Sequence, residues 1–294
     1  MPSCRARLAR YVALATIVSF SLVLATVASG APGDLVMHFR GHAFGLKNPN
    51  SIASDASHVV IVNSGANSVV DINARTGALV RVVKGASYAF SSPYAITMAG
   101  GRLWIANLRG ESVTEVSAVS GALVRVLKGA TYHFDGPVAL AGDATHLWVA
   151  NAGSSLTEID VATGALVKVL MAASYSFNSP NAVTISHHHV WVVNAGGNSL
   201  TELNATSGAL VKVLRSPTFG FDGANAIAAD NSHLWVSNAS GNSVSELDAT
   251  SGALVKVLKG SALQLKGPRA ICSDGVHVWI VDYRSNALSE LSAT

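Results

Sequence analysis

The run Arg102-Leu-Trp-Ile-Ala-Asn107 recurs along the chain with small changes, and this recurrence decides the fold. Each copy is a short apolar stretch with Trp at its centre and Asn or Asp at its end. The later copies are His146-Leu-Trp-Val-Ala-Asn151, His189-Val-Trp-Val-Val-Asn194, His233-Leu-Trp-Val-Ser-Asn238 and His277-Val-Trp-Ile-Val-Asp282. An earlier copy, His58-Val-Val-Ile-Val-Asn63, carries Val60 at the Trp position. The interval is about 44 residues, and a period of this length filled with strand-like segments indicates a radial β array.

Each repeat contains four short strand candidates, which predicts an all-β chain. The first begins at Pro or Ala, and the second is the Trp run. The third alternates apolar and polar residues, as in Ser199-Leu-Thr-Glu-Leu203, and a Gly in the following hairpin leads to the fourth. Six such repeats predict a six-bladed β-propeller with four-stranded blades over residues 31–294.

The two ends of the repeat array predict how the ring closes. The last repeat stops at Thr294, before its fourth strand. The segment Gly33–Gly41 aligns with Gly252–Gly260, which contains a fourth strand. We therefore expect Leu35–Phe39 to pair into the last blade, which would cover the open edge of that sheet.

Residues 1–30 have the composition of a secretory signal peptide. Arg5, Arg7 and Arg10 precede an uncharged apolar stretch over residues 11–27, and small residues follow it. We expect cleavage after Ala28 or Gly30 and a secreted, periplasmic or cell-envelope location. An uncleaved membrane anchor is the alternative, because the apolar stretch is nearly long enough to span a bilayer.

The charge balance limits the classes of partner. The chain has 20 Lys and Arg against 17 Asp and Glu, and removing the three leader arginines leaves 17 against 17. A formally neutral body without a basic stripe argues against nucleic acid, and against membrane binding beyond the leader.

Three repeated phrases resemble bacterial extracytoplasmic propeller repeats of the NHL and YVTN kind. They are Leu147-Trp-Val-Ala-Asn151, Ser112-Val-Thr-Glu115 and Ser251-Gly-Ala-Leu-Val255. The resemblance covers residues 33–294 and implies a β-propeller in the neighbourhood of the virginiamycin B lyase-like group. No stretch matches the catalytic His and Glu set of that group. We therefore carry over no catalytic residue, and we expect no metal and no cofactor.

Two repeated sets of polar residues have more than one interpretation. A His begins the second strand of five repeats, and an acid lies on every third strand: Asp71, Glu115, Glu158, Glu202, Glu246 and Glu290. Convergent histidines and paired carboxylates suit metal binding or acid/base chemistry. We favour structural roles, with the His residues satisfying turns and the acids forming cross-strand ion pairs that solubilise the outer edge of each blade.

Function is expected where the repeat departs from its own pattern. The residue after the first-strand Pro varies, and two of the turns between second and third strands are rich in charge. The candidate ligand-binding residues are Tyr94, Arg109, Glu111, Arg269, Asp282, Tyr283 and Arg284. Repeats two and six flank repeat one, so these residues are expected to border one side of the channel mouth, where arginines suit a carboxylate, a sugar acid or an acidic peptide.

These features favour a non-catalytic scaffold that binds a protein, a glycan or a small ligand at the channel-mouth face. We expect a monomer. The alternative is a propeller hydrolase or lyase, either lactonase-like or virginiamycin B lyase-like, which would need acids or histidines converging at the mouth. Only Asp282 and Glu111 are acids that we expect near the mouth and that could belong to such a cluster.

Overall fold

A computed structural model describes residues 44–171 and 173–293 as antiparallel β-sheets joined by short connections. The strands of the first three blades are β1 (Pro49–Ser54), β2 (His58–Asn63), β3 (Ser68–Asn73), β4 (Leu79–Val83), β5 (Pro93–Ala99), β6 (Arg102–Asn107), β7 (Ser112–Ser117), β8 (Leu123–Lys128), β9 (Pro137–Gly142), β10 (His146–Asn151), β11 (Ser155–Asp160) and β12 (Leu166–Leu170). Those of the last three blades are β13 (Pro180–Ser186), β14 (His189–Asn194), β15 (Ser199–Asn204), β16 (Leu210–Leu214), β17 (Ala224–Ala229), β18 (His233–Asn238), β19 (Ser243–Asp248), β20 (Leu254–Leu258), β21 (Pro268–Ser273), β22 (His277–Asp282) and β23 (Ala287–Ser292). Short 3-10 turns lie in the connections between blades, at Ala86–Tyr88, Ala130–Tyr132, Ala173–Tyr175, Pro217–Phe219 and Ser261–Leu263.

Each blade is a meander in which neighbouring strands of the sequence pair with each other. Five sheets have four strands, in the orders β1-β2-β3-β4, β5-β6-β7-β8, β9-β10-β11-β12, β13-β14-β15-β16 and β17-β18-β19-β20. In the described part of blade 6 the order is β21-β22-β23. The first strand of each blade packs beside the first strand of the next, from β1 to β21. The predicted six-bladed β-propeller is confirmed.

The Trp residues form the interfaces between blades. Trp191 and Val193 of β14 face blade 5, where they pack against Leu234 and Val236 of β18. The same contact recurs around the array, because alternate residues of each second strand face opposite neighbours. Four of the five Trp side chains are fully buried. Val60 replaces Trp in blade 1 and packs in the corresponding interface.

The connections between blades insert an aromatic pair into the same interfaces. Tyr88 and Phe90 stack with their ring centroids 5.4 Å apart, and Phe90 is buried between blades 1 and 2. The Tyr88 hydroxyl donates to the carbonyl oxygen of Gly121 at 2.9 Å. Tyr132 repeats this bond to Gly164 at 3.0 Å. These aromatic residues therefore pack the blades together.

The junction between blade 6 and blade 1 is more exposed than the others. Val281 of β22 is 44% exposed, whereas Val193, at the same position in blade 4, is fully buried. Ile52 of β1 is 58% exposed, against 6% for Ile96 in β5. The predicted closing strand Leu35–Phe39, like the predicted signal peptide, lies outside the described residues. No helix among the described residues is long and apolar enough to cross a membrane.

We expect deletion of Gly33–Gly41 to destabilise the whole protein, because the predicted closing strand Leu35–Phe39 would no longer be present to pair with the open edge of the last blade. A loss of several kcal/mol corresponds to a fall in Tm of roughly 10 °C in a chain of this size. Differential scanning calorimetry on the deletion variant measures it. The control removes only Ala31 and Pro32, and equal melting of both variants would contradict the proposed closure.

Candidate functional site

One face of the propeller is built from two kinds of loop, which we call together the mouth face. They are the turns between second and third strands and the connections that lead into each first strand. In blade 1 the amides of Ser64 and Gly65 donate to the carbonyls of Asn48 and Lys47, both at 3.1 Å. In blade 6 the amides of Tyr283 and Arg284 donate to the carbonyls of the residues before Pro268 at the same distance. Backbone hydrogen bonds therefore fix these loops against each other.

A buried polar network supports the mouth face from below. In blade 3 the Asn151 amide nitrogen donates to Ser155 Oγ and Thr157 Oγ1, both at 3.1 Å. Thr157 Oγ1 in turn donates to the Tyr132 carbonyl at 2.9 Å, which ties the blade to its incoming connection. The same side-chain bond recurs from Asn107, Asn194 and Asn238. The Asn that ends the Trp run is thus a structural residue.

Asp282 occupies the position of this Asn in blade 6. It is fully buried, its Oδ1 accepts from the Lys266 amide at 3.0 Å, and its Oδ2 accepts from Ser289 Oγ at 2.7 Å. The sequence pattern predicts Asp282 as a ligand-binding residue, but its carboxylate is directed into the blade. It fixes the Lys266 amide, and the Lys266 carbonyl in turn accepts from the Arg284 amide.

A β-bulge sets the direction of the residue that follows the first-strand Pro or Ala. In all six blades the strand register shifts across this residue, so it has no partner on the second strand. Bulges often re-aim a side chain near a functional site. These six positions vary although the strands around them are repeated. The bulged residues are Asn50, Tyr94, Val138, Asn181, Asn225 and Arg269.

Three of the bulged residues form a ladder across blades 4 to 6. Asn181 Nδ2 donates to the Asn225 carbonyl at 2.8 Å and to its Oδ1 at 3.0 Å. Asn225 Nδ2 donates to the Arg269 carbonyl at 2.7 Å. The ladder fixes the backbone at Arg269 and does not engage its guanidinium.

Arg269, Tyr283 and Arg284 lie together on the mouth face, and we call them the blade-6 arginine cluster. The Arg269 guanidinium carbon lies 5.0 Å from the centroid of the Tyr283 ring, which is a cation–π contact. Tyr283 is 64% exposed, and both arginines are exposed. The stem of Arg284 packs over Gly267, where a Cβ would lie 3.0 Å from Arg284 Cγ. The cluster presents two cations and an aromatic ring to solvent.

The other candidates lie in blade 2. Tyr94 is half-buried at the bulge of β5, and Arg109 and Glu111 are exposed in the turn between β6 and β7. Glu111 adopts a left-handed backbone conformation with φ of 45°. The described residues show no hydrogen bond, ion pair or ring contact between this group and the blade-6 arginine cluster. The structure therefore brings two of the seven candidates, Arg269 and Tyr283, into contact, with Arg284 next to Tyr283 in the same turn.

The acids of the third strands form ion clusters within their own blades. Glu115 is buried on β7, where its Oε1 lies 3.3 Å from Arg102 Nε and its Oε2 lies 2.6 Å from Arg125 Nε. In blade 3, His146 and Lys168 flank the third-strand acid in the same way, at 3.6 and 3.1 Å. The predicted cross-strand ion pairs are confirmed. The prediction that these acids solubilise the outer edge is wrong for five that are buried: Asp71, Glu115, Glu158, Glu202 and Glu246.

Burial has an electrostatic consequence for these carboxylates. Desolvation raises the pKa of Glu115 above its usual value, although two arginines act in the opposite direction. The pKa of Asp71 is raised for the same reason, against the effects of His58 and Arg81.

The His residues that begin the second strands belong to these ion clusters. His146 lies beside Glu158, and His189 lies beside Glu202. Each His is thus next to one third-strand acid of its own blade, and the histidines do not converge. Within residues 44–171 and 173–293, no group of three or more His, Cys, Asp or Glu is placed to hold a metal ion.

The Glu202→Ala substitution tests the contribution of a buried ion cluster. Glu202 is 1% exposed between His189 and Lys212, so its removal leaves the partly buried Lys212 ammonium without a carboxylate partner. We expect a loss of about 3–5 kcal/mol in the free energy of unfolding, measured by urea denaturation. Glu290→Ala is the matched control, since that side chain is 37% exposed, and it should cost less than about 1 kcal/mol. Equal losses would contradict this account.

Asp230 links blades 5 and 6 at the opposite end from the mouth face. Its Oδ2 accepts from Ser273 Oγ at 2.7 Å and from Trp235 Nε1 at 2.9 Å, and its Oδ1 accepts from the Ser232 and His233 amides. Burial opposes ionisation, but these hydrogen bonds outweigh it and hold the pKa of Asp230 below its usual value.

The Asp230→Asn substitution should therefore have a pH-dependent cost. Because the folded pKa is depressed, the stabilisation is complete above the unfolded value of about 3.9 and is lost as pH falls through the folded pKa. We expect the variant to be less stable than the parent at pH 7 and the difference to narrow below about pH 4. Urea denaturation across a pH series measures this, and a constant difference down to about pH 3 would contradict it.

Comparison with known proteins gives structural neighbours only. No protein-family model and no curated protein sequence matches the chain. A streptogramin B lyase structure is similar at 15% identity with a TM-score of 0.65, over 84% of this chain and 84% of that chain. The computationally designed Ika8 protein is similar at 14% identity and a TM-score of 0.63, over 83% of this chain and 70% of that one. BamB from Moraxella catarrhalis is similar at 19% identity and a TM-score of 0.55, over 83% of this chain and 71% of that one.

These similarities establish the fold. At such identities they extend to no activity, because propellers with the same architecture carry unrelated functions. The chain therefore lies in the structural neighbourhood that its repeats predicted.

Proposed function

We propose that this protein is an exported, non-catalytic propeller that binds a carboxylate-bearing protein, glycan or small ligand at the mouth face. The observation that carries the proposal is the blade-6 arginine cluster. Arg269 stacks on an exposed Tyr283 ring, and Arg284 lies in the same loop as that ring. The leader sequence over residues 1–30 supports export.

The chemistry of the cluster suits an acidic partner. A guanidinium donates two parallel hydrogen bonds to a carboxylate, and this geometry gives orientation as well as affinity. The Tyr283 ring supplies an apolar surface with a polar hydroxyl, which suits a sugar ring or a peptide side chain. The bulge at Arg269 and the buried contacts of Asp282 hold both parts of the cluster in place before any ligand arrives.

The contrast with the rest of the molecule supports a binding role. The buried acids are engaged with cations from their own blades, and the buried Asn side chains hold the loops. Among the described residues, none forms an ion pair with either arginine of the cluster. Their charge is therefore available to a partner.

A printed array of peptides and glycans tests the proposal. We expect the parent protein to bind carboxylate-bearing probes selectively, and the Arg269→Gln, Arg284→Gln double variant to lose roughly tenfold or more in affinity with an unchanged Tm. The control is Arg75→Gln, an exposed arginine in the β3–β4 hairpin, which should bind as the parent does.

Two results would overturn the proposal. One is selective binding of acidic probes that survives the double substitution, which would place the site elsewhere. The other is a stoichiometric divalent metal in the purified protein, measured by mass spectrometry, together with turnover of a bound probe, which would favour the hydrolase or lyase alternative.

A further inference from the structure

A cavity of about 540 Å³ lies on the mouth face between blades 4 and 5, away from the blade-6 arginine cluster. The connection from β16 to β17 forms one wall, and the turns after β14 and β18 form two others. A volume in this range is typical of small-molecule sites. The lining residues that carry the argument are Arg215, Pro217, Gly220, Asp222, Val257 and Lys259.

The connection over the cavity departs from the repeat in its first half. Where three other connections begin Lys-Gly-Ala or Lys-Gly-Ser, this one reads Arg215-Ser-Pro217. Ser216 Oγ accepts from the Thr218 amide at 3.3 Å, and Pro217 fixes the first turn of the 3-10 segment. This wall of the cavity is therefore preorganised by local contacts.

The same connection departs again at Gly220, which lacks the side chain that would enter the cavity. A Cβ at this position would lie 2.9 Å from Val257 Cγ1, and Val257 also lines the cavity. The left-handed backbone does not by itself require glycine at this position, as the other connections show. We therefore interpret Gly220 as the residue that keeps this wall of the cavity open. The corresponding residues of the other connections adopt the same conformation and carry side chains: Ala89, His133, Ser176 and Gln264.

The charges at the rim are not used by the fold. Arg215 and Lys259 follow the last residues of β16 and β20, and neither forms an ion pair with another described residue. Lys212 and Lys256, three positions earlier, are both paired with buried Glu residues. Asp222 is the one carboxylate in the lining, so the rim has a net positive charge. Hydroxyl and amide groups complete the lining, from Ser216, Ser243 and Asn198.

We propose that this cavity binds a small acidic carbohydrate of the uronic-acid type. Arg215 and Lys259 take the carboxylate, since the two cations line a shared opening. Asp222 and the neutral polar groups accept and donate hydrogen bonds to ring hydroxyls. The exposed Pro217 ring supplies apolar contact for one face of a sugar ring. The proposal is independent of the blade-6 arginine cluster and adds a second site on the same face.

Isothermal titration of the full chain with digalacturonate tests this proposal, with maltose as the neutral probe of similar size. We expect binding of digalacturonate alone. The Arg215→Gln, Lys259→Gln double variant and the cavity-filling Gly220→Gln variant should each lose roughly tenfold or more in affinity. The matched control is Lys84→Gln with Lys128→Gln, which removes the corresponding exposed cations between blades 1 and 2. Thermal unfolding of every variant verifies folding.

The outcomes separate this site from the proposed function. Absence of digalacturonate binding by the parent, equal binding of maltose, or unchanged affinity in both cavity variants would overturn the inference. Binding lost only on Arg269→Gln would overturn it too, and would assign the probe to the blade-6 arginine cluster. If Gly220→Gln fails to fold, the double charge variant still decides the result.

Discussion

The packing of one blade against the next depends on a buried carboxylate that must be neutralised within its own sheet. In blades 1 to 5 the acid of the third strand lies on the face that the next blade covers, so its burial requires partners that offset its charge. Its neighbours supply them: Arg102 or a His at the start of the second strand, and a Lys or Arg of the fourth. Removing one partner would leave a buried charge, which is costly, and this explains why the set recurs almost unchanged.

The fourth-strand base also makes a contact to the next blade. Arg125 donates to the Ala162 carbonyl at 3.4 Å, and Lys168 to the Ser207 carbonyl at 2.9 Å. The hairpin glycine of the receiving blade lets the base approach, because a Cβ on Gly164 would lie 2.6 Å from Arg125 Nη1. This glycine also has positive φ, as the turn requires. One residue type thus meets two separate geometric demands.

The repeat period made the architecture predictable, including strand order and the hairpins, because each unit shows its own turn residues and its own apolar run. The burial of Glu202 was not predictable from alternation, since both faces of each blade are covered and period-two patterning cannot tell a buried face from an exposed one. For Asp282 a signal was present. It stands where other repeats have Asn, and a residue that replaces a repeated Asn is expected to share its structural role and its burial. The cavity beside Gly220 could not be predicted from the sequence, because it depends on the distance between Gly220 and Val257, which only the tertiary structure supplies.

The contacts that recur most regularly between blades run in one direction. Each of blades 2 to 4 presents a cation and a Trp to its successor, and each of blades 3 to 5 offers its predecessor a hairpin and an apolar strand face. Internal units therefore share the same recurring interface chemistry, apart from local contacts such as the bond between Ser273 and Asp230. Gain or loss of a whole unit by gene duplication or recombination would leave every remaining internal interface chemically matched, whereas the first and last units would stay irreplaceable. The number of blades in such an array is a quantity that evolution, or an engineer, can change in single steps.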